Sequence, residues 1–266
     1  MIDLHTHTWR CKHASGTVAD YAASAANRGI SVLGVSDHVP LPDGAWPEPR
    51  MGMDELPAYL EEIAEARRRH VGLRILAGFE CEYHPRYEAY YREELLGRLG
   101  LDYLIAGQHW FDAPGGIQSV YDPAGPKSVR AYAASVVAAM KSGLFAFIAH
   151  PDLFGYFHPR WDGEALAASR EILSAAAELG VPLEVNGLGL RKPVLRTVEG
   201  VRPPYPWSPF WELAVEYPVV VCFNSDAHRP EDVGAGIAEG HRLVSALPLA
   251  EIREAPLSRR SSETVP

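Results

Sequence analysis

Seven short apolar runs, each separated from the next by a helical pattern, predict an α/β fold in which parallel strands curl into a closed or nearly closed barrel. Two further observations sharpen this. No linker-like stretch interrupts the alternation, so residues 1–250 are expected to form a single domain, followed by a polar tail over residues 251–266. Every apolar run also ends in a polar group, and a parallel barrel gathers the C-terminal ends of its strands at one mouth.

The opening "MIDLHTH" alternates Ile2 and Leu4 with Asp3 and His5, a period of two that reads as a strand and puts His5 and His7 on one side. "TVADYAASAANRG" reads as a helix with a Thr cap and a closing Gly29, and "SVLGVSDH" as the buried strand that follows. In "MDELPAYLEEIAEARRRHVG" the residues Leu56, Tyr59, Leu60, Ile63 and Ala64 share a helical face, and "LRILAGFECE" is the next strand. The pattern then recurs. "YEAYYREELLGRLG" leads to "DYLIAGQHW", "SVRAYAASVVAAMKSG" to "LFAFIAHPD", "GEALAASREILSAAAELG" to "VPLEVN", and "FWELAVEY" to "PVVVCFNSDAH". The closing "APLSRRSSETVP" is polar and expected to fray.

Composition narrows the partners. The 266 residues are 47% hydrophobic and 22% charged, an ordinary globular balance with material for a sizeable core. A net charge of −9 argues against nucleic acid as a partner, while leaving room for a local cationic pocket that takes a small phosphate ester. Cys11, Cys81 and Cys222 are odd in number and scattered, which does not read as a disulfide framework and fits a reducing cytoplasm. No leader-like start and no run of about 18 apolar residues is present, so neither export nor a membrane partner is expected.

The strand ends carry His5 and His7, then Asp37 and His38, Glu80, His109, His150, Asn186, and finally Asp226 and His228. A single histidine at a strand end is usually a hydrogen-bonded or exposed residue, and "HTH" alone is weak. Seven of eleven histidines at or just after strand ends is a different matter, because the barrel would bring them together. Imidazoles mixed with carboxylates suit Zn, Mn or Fe, whereas Ca or Mg sites are dominated by oxygen.

The ordered set "HTH", the His six residues later, "SDH", "FECEYHP", "GQHW", "AHPD" and "NSDAH" resembles the polymerase-and-histidinol-phosphatase (PHP) superfamily from Asp3 to about Leu247. "SDHVPLP", "RMGMDELPAYLEEI" and "GLRKP" resemble its stand-alone histidinol-phosphate phosphatases; "NGLGLRKP" here stands where that group usually reads "NTSGLRKP", which removes hydroxyls near the substrate. The resemblance implies a distorted (β/α)7 barrel holding three divalent metal ions (Zn, Fe or Mn). His5, His7, Glu80 and Asp226 resemble the ligands of the first; a bridging Glu80, His109 and His150 those of the second; and His13, His38 and His228 those of the third. Asp37 reads best as an acceptor behind the ligands that fixes an imidazole tautomer.

The activity implied is metal-assisted hydrolysis of a phosphate monoester, L-histidinol phosphate, late in histidine biosynthesis. Two cations ~3.5–4 Å apart would generate a bridging hydroxide as nucleophile and neutralise charge on the transferring phosphoryl oxygens. Glu80 would act as the bridge, and Asp226 or His228 would supply a proton to the leaving alkoxide through water. Arg191 in "GLRKP" and Arg160 in "FHPRW" follow barrel strands, where a guanidinium could clamp phosphate; either could instead be a solvated loop residue. Arg50 is a weaker candidate.

The other conspicuous residues take plainer readings. His84 is read as hydrogen-bonded support, and His70, His158 and His241 as surface residues. Cys11 lies between ligands, yet all nine ligand positions are filled without it. Trp110, Phe111 and Trp161 could wall the pocket or belong to core and rim. "GAGIAEG" lacks a dinucleotide fingerprint after a strand. Two alternatives stand beside the favoured activity: a PHP-type phosphoesterase for another small ester or a nucleotide, and a non-catalytic metal-binding scaffold. A C–N hydrolase would be expected to carry a Lys at a strand end, and none does.

Overall fold

The alternation read from the sequence becomes a ring of parallel strands in the computed structural model, which describes residues 1–122, 128–252 and 254–256. The first half runs β1 (Ile2–Asp3), α1 (Val18–Asn27), β2 (Val32–Val35), α2 (Leu56–Arg69), β3 (Arg74–Cys81) and β4 (Tyr103–Ala106), with the four strands paired in sequence order. Helix α1 starts where Thr17 accepts from Asp20 N and the Asp20 carboxylate accepts from Thr17 N, a reciprocal cap that satisfies two end donors. It ends just before Gly29, whose φ of +70° is cheap only without a Cβ. In α2 the buried face is Leu56, Tyr59, Ile63 and Ala66; Leu60 and Ala64 are only half-buried. Tyr59 sets that rotation, because its hydroxyl donates to Val35 O and Gly78 O between two strands, both at 3.0 Å. The segment expected as an α-helix over "YEAYYREELLGRLG" is a wider π-helix at Tyr90–Arg98, from whose N-terminal turn Tyr91 Oη reaches Glu82 O at 2.8 Å.

Two hairpins were not anticipated. The first pairs β5 (Trp110–Ala113) with β6 (Gly116–Ser119) across a two-residue turn, Pro114 and Gly115. After α3 (Val129–Lys141) comes the fifth apolar run, expected as a regular strand. It is instead held by single bridges from Ile148 to Ala106 on one side and Leu183 on the other. Then follow α4 (Gly163–Leu179), β7 (Leu183–Asn186), α5 (Gly187–Arg191), the second hairpin β8 (Leu195–Thr197) with β9 (Gly200–Arg202), α6 (Ser208–Ala214), β10 (Val220–Asn224), α7 (Ile237–Val244) and β11 (Ala250–Glu251). Strand β11 pairs with Val220–Val221 of β10, so the sheet extends one residue past the expected boundary at 250. Residues 257–266 of the expected tail lie outside the described residues.

The ring closes between the ends of β1 and β10. Thr6 and Ala227 form a parallel bridge, His7 N donates to Ala227 O at 2.8 Å, and Leu4 N donates to Asn224 Oδ1 at 2.7 Å. Leu4, Leu76, Tyr103, Ile105, Phe147 and Cys222 pack together as a cluster of their own, distinct from the larger core that includes the apolar faces of the helices. Gly78 makes room for the Tyr103 ring, since a Cβ there would sit 2.5 Å from it.

Candidate metal centre

Each strand delivers its polar end to one mouth, where a cavity of about 1190 Å³ is lined by His7, His13, His38, Glu80, His109, His150, Asp226 and His228 together with Trp110, Tyr121, Tyr205 and Arg191. Glu80 lies at the centre, fully buried. Its Oε2 is 3.4 Å from His5 Nε2, 3.4 Å from His7 Nε2 and 3.1 Å from His38 Nδ1. Its Oε1 is 3.0 Å from His150 Nε2 and 3.8 Å from His109 Nε2. Asp226 Oδ1 is 3.3 Å from His7 Nε2 and 3.6 Å from His5 Nε2. Tetrahedral ligands with bonds of ~2.0–2.2 Å lie roughly 3.3–3.6 Å apart, so His5, His7, Glu80 and Asp226 have the spacing of a transition-metal shell. Only glycine fits at 107, because a Cβ would fall 1.9 Å from Glu80 Oε1.

The lone pairs are turned toward that hollow. His5 Nε2, both nitrogens of His7, His38 Nδ1 and Asp226 Oδ1 are buried without a hydrogen-bond partner, a costly arrangement that a cation would relieve. Burial holds the His7 imidazole below its ordinary pKa and His38 well below, and burial with the nearby His7 pushes His228 down to about 4. Burial would raise Glu80 and Asp226, yet the surrounding imidazoles, His5 foremost, hold both well below the usual carboxylate range. His5 moves the opposite way: burial disfavours its charge, but Asp226, Glu184 and Glu80 raise it well above the ordinary value. His7, His38 and His228, held neutral beside ionised carboxylates, offer the lone pairs a divalent cation requires, and His5 and His109, raised by those carboxylates, would give up a proton to bind one.

Two residues that the sequence reading passed over hold this centre in place. Glu184, inside the apolar run "VPLEVN", accepts from His5 Nδ1 (2.9 Å), Asn224 Nδ2 (3.0 Å), His150 N (3.0 Å) and Asn186 Nδ2 (2.8 Å). Glu82, two residues past Glu80, accepts from His109 Nδ1 (2.9 Å), His109 N (2.7 Å) and Arg50 Nη2 (3.0 Å). Arg50 is therefore buried behind His109, a support for Glu82. The signal was present: a carboxylate in a fully buried strand must have partners. Asp37 does not contact an imidazole as expected. It accepts from Thr8 N (2.8 Å) and Thr8 Oγ1 (2.9 Å), tying the first strand's end to the second, and burial raises its pKa to about 7.

The rim is built differently. His13 Nδ1 donates to Cys11 O at 2.6 Å and His228 Nδ1 to Asp226 O at 3.1 Å, which leaves two Nε2 lone pairs facing each other at 2.9 Å. His38, expected with these two, has its ring centre 5.5 Å from His13 and its Nδ1 turned to Glu80, so it stands between the inner and rim groups. Arg191 lines the cavity, with Nη1 anchored to Ser225 O (3.0 Å) and Ala235 O (2.7 Å) and Nη2 buried without a partner. Arg160 is exposed and is not among the cavity-lining residues, because the short helical turn after His150 carries it outward; Lys192 and Arg229 line the cavity instead. Trp110 lines the cavity, Phe111 packs on Tyr132 and Phe157 in the core, and Trp161 packs on Trp207. His84 pairs with Asp112 and accepts from Arg86 N, a supporting role.

Comparison with known proteins agrees with this geometry. Residues 3–187 match the PHP domain family. A protein of Deinococcus radiodurans described as a probable histidinol-phosphatase is 34% identical over 256 residues, 92% of each chain. Among solved structures, the histidinol phosphate phosphatase of Lactococcus lactis, in complex with zinc, L-histidinol and phosphate, superposes with a TM-score of 0.72 at 16% identity, over 97% of this chain and 98% of that one. Metal-dependent tyrosine phosphatases of Bacillus subtilis and Streptococcus pneumoniae superpose with a TM-score of 0.51 at 16% identity, over 98% of this chain and 100% of the other. At such identities the two structural likenesses speak for the fold alone.

Proposed function

Because the chain belongs to the PHP domain family, we propose that it is a metal-dependent phosphate monoester hydrolase whose substrate is L-histidinol phosphate, acting in histidine biosynthesis in the cytoplasm. The observation that carries this reading is the convergence of the nine predicted ligand side chains, eight of them lining one cavity and His5 packed against Glu80 behind them, with unpartnered lone pairs directed inward. Three divalent ions, Zn, Fe or Mn, suit the donor set: His5, His7, Glu80 and Asp226 for one, Glu80, His109 and His150 for a second, and His13 and His228 with His38 beside them for a third. Free, buried Cys11, Cys81 and Cys222 fit a reducing compartment. Among the described residues no helix is long and apolar enough to cross a membrane.

Bound cations of this kind lower the pKa of a coordinated water into the neutral range and neutralise the phosphoryl oxygens. The chain's own residues supply the rest. Glu80 directs its two oxygens to two different groups of imidazoles, so it would hold a cation with each group. Asp226 Oδ1, facing the cavity without a hydrogen-bond donor, would hold an inner cation and set the attacking water beside it, and with His228 Nε2 given to the rim cation the proton would reach the leaving oxygen through water hydrogen-bonded to the Asp226 carboxylate. Arg191 Nη2 is the guanidinium edge free for phosphate; with Nη1 held by two carbonyls, the group is oriented before substrate arrives. Trp110, Tyr121 and Tyr205 wall the space left for the organic moiety.

The test is phosphate release from histidinol phosphate and from a neutral, apolar phosphate ester of matching size. Preference for histidinol phosphate supports the assignment; equal kcat/KM for both leaves a PHP-type phosphoesterase of another small ester or nucleotide. Arg191→Ala is expected to raise KM roughly ten- to a hundred-fold for both esters with unchanged metal content, and Arg191→Lys to recover part of the loss.

A further inference from the structure

We propose that Cys11 is a thiolate ligand of the cation at the rim of the site, shared with His13 and His228. This rests on the reading that a third cation binds there, and it adds a ligand that the nine strand-end residues do not include. Cys11 ends a short helical turn, Trp9–Cys11, capped by Thr8, and Lys12 then turns the chain with φ +65°, so that Cys11, itself fully buried, comes against His13 at the wall of the hollow. Cys11 Sγ lies 3.9 Å from His13 Nε2, the nitrogen left free when Nδ1 donates to Cys11 O. Zinc bonds of ~2.3 Å to sulfur and ~2.0–2.1 Å to nitrogen put S and N roughly 3.5 Å apart in a tetrahedron, so a shift of a few tenths of an ångström completes the contact.

A second observation points to the same hollow. Ligand atoms of His7, Cys11 and His228 lie within 4.8 Å of one another, and His7 is fully buried with neither ring nitrogen hydrogen-bonded. The other two thiols are occupied elsewhere: Cys81 Sγ donates to Phe79 O at 3.7 Å and Cys222 Sγ accepts from Asn224 Nδ2 at 3.8 Å. On binding, the S–H bond breaks, its proton passes to solvent, and the sulfur lone pair forms the bond to the cation. A soft ligand at this position and nowhere else in the cluster makes the rim selective for Zn or Fe, whereas the inner nitrogen and oxygen ligands also accept Mn.

Cobalt substitution reads the ligand directly. Chelator-stripped protein titrated with Co²⁺ is expected to bind three equivalents, with a near-ultraviolet thiolate-to-cobalt charge-transfer band that C11S abolishes while retaining the inner two equivalents. X-ray absorption on the zinc-loaded wild type, which needs no variant, is expected to show one sulfur at ~2.3 Å averaged over three metals. Three bound equivalents with no band and no sulfur, or a band that survives in C11S, overturns the thiolate and leaves the three-cation reading standing. Only two equivalents in the wild type overturns both.

Discussion

Around Glu80, His5 and His109 turn Nδ1 onto fully buried carboxylates, Glu184 and Glu82, whereas at the rim His13 and His228 turn theirs onto backbone carbonyls. A carboxylate behind an imidazole fixes its tautomer and orientation and raises its basicity; a carbonyl does the first and little of the last. Glu184 and Glu82 are themselves saturated, each by four donors, so the inner imidazoles cannot swing without breaking several hydrogen bonds. One mouth therefore holds a rigid inner pair of positions and a more adaptable outer one.

The largest effect is expected where the inner half has its only shared ligand. Glu80→Gln keeps the volume but removes charge from both inner positions, and turnover should fall by about three orders of magnitude, ~4 kcal/mol of barrier, with the fold retained. Near-normal kcat with full metal content would show that the two inner groups do not depend on a common carboxylate. Next come the supports: Glu184→Gln and Glu82→Gln should each weaken metal retention roughly 10–100-fold in a chelator competition, making the inner half behave like the rim. Equal retention in wild type and both variants would erase the proposed contrast.

A smaller effect separates the halves by pH in chelated protein. His7, His38 and His228 have folded pKa values below the ordinary 6.5, so the unfolded chain takes up protons that the folded one refuses as pH falls through that value. The raised His5 contributes its stability in full below 6.5 and loses it only at higher pH, and the depressed Glu80 and Asp226 lose theirs only below about 4. Asp37 and Asp152, which burial raises to about 7 and about 6, gain stability over the same fall in pH, so between pH 6.5 and 4.5 the melting temperature should drop by what the depressed histidines lose beyond that gain, and metal-loaded protein should resist the drop until its ions dissociate. A flat profile for chelated protein would contradict the neutral imidazoles. The smallest effect is one of order: stopped-flow chelation should release one equivalent ahead of the other two, the rim ion leaving first, and a single-phase release would place all three in equivalent settings.

The alternation of apolar runs with helical patterns, and the polar residue closing each run, made the barrel and its mouth legible before any coordinate. Ligands are chemically conspicuous because histidines at strand ends have no packing role to explain them. Their supports are not. Glu184 was hidden because one glutamate in "VPLEVN" looks like a strand's ordinary polar position, and only the ring geometry turns it toward His5 and His150. Asp37 was misread for the converse reason: its place before His38 suggested an imidazole partner, while the bridged strands offered Thr8 first. Arg160 and Arg191 both follow strand ends in the sequence, and the path of the intervening loop, invisible in composition, admits one to the cavity and not the other. The β5–β6 hairpin had its turn in plain view in "APGG", but its exposed strands carry too little apolar alternation to register.

The seam where Thr6 meets Ala227 joins residues at opposite ends of the domain, and His5, His7 and Asp226 stand on its two sides. A contact of such sequence separation carries a large loop-closure entropy and forms late in folding. A growing chain would display its first two ligands long before Asp226 exists to complete the shell, so a nascent or circularly opened molecule has no tight site to load. Once the ring is shut, an ion held across the seam would act as a clasp: with free metal at a hundred times its dissociation constant the folded state would gain about 2.7 kcal/mol, which would tie the lifetime of the whole barrel to the metal supply of the cell.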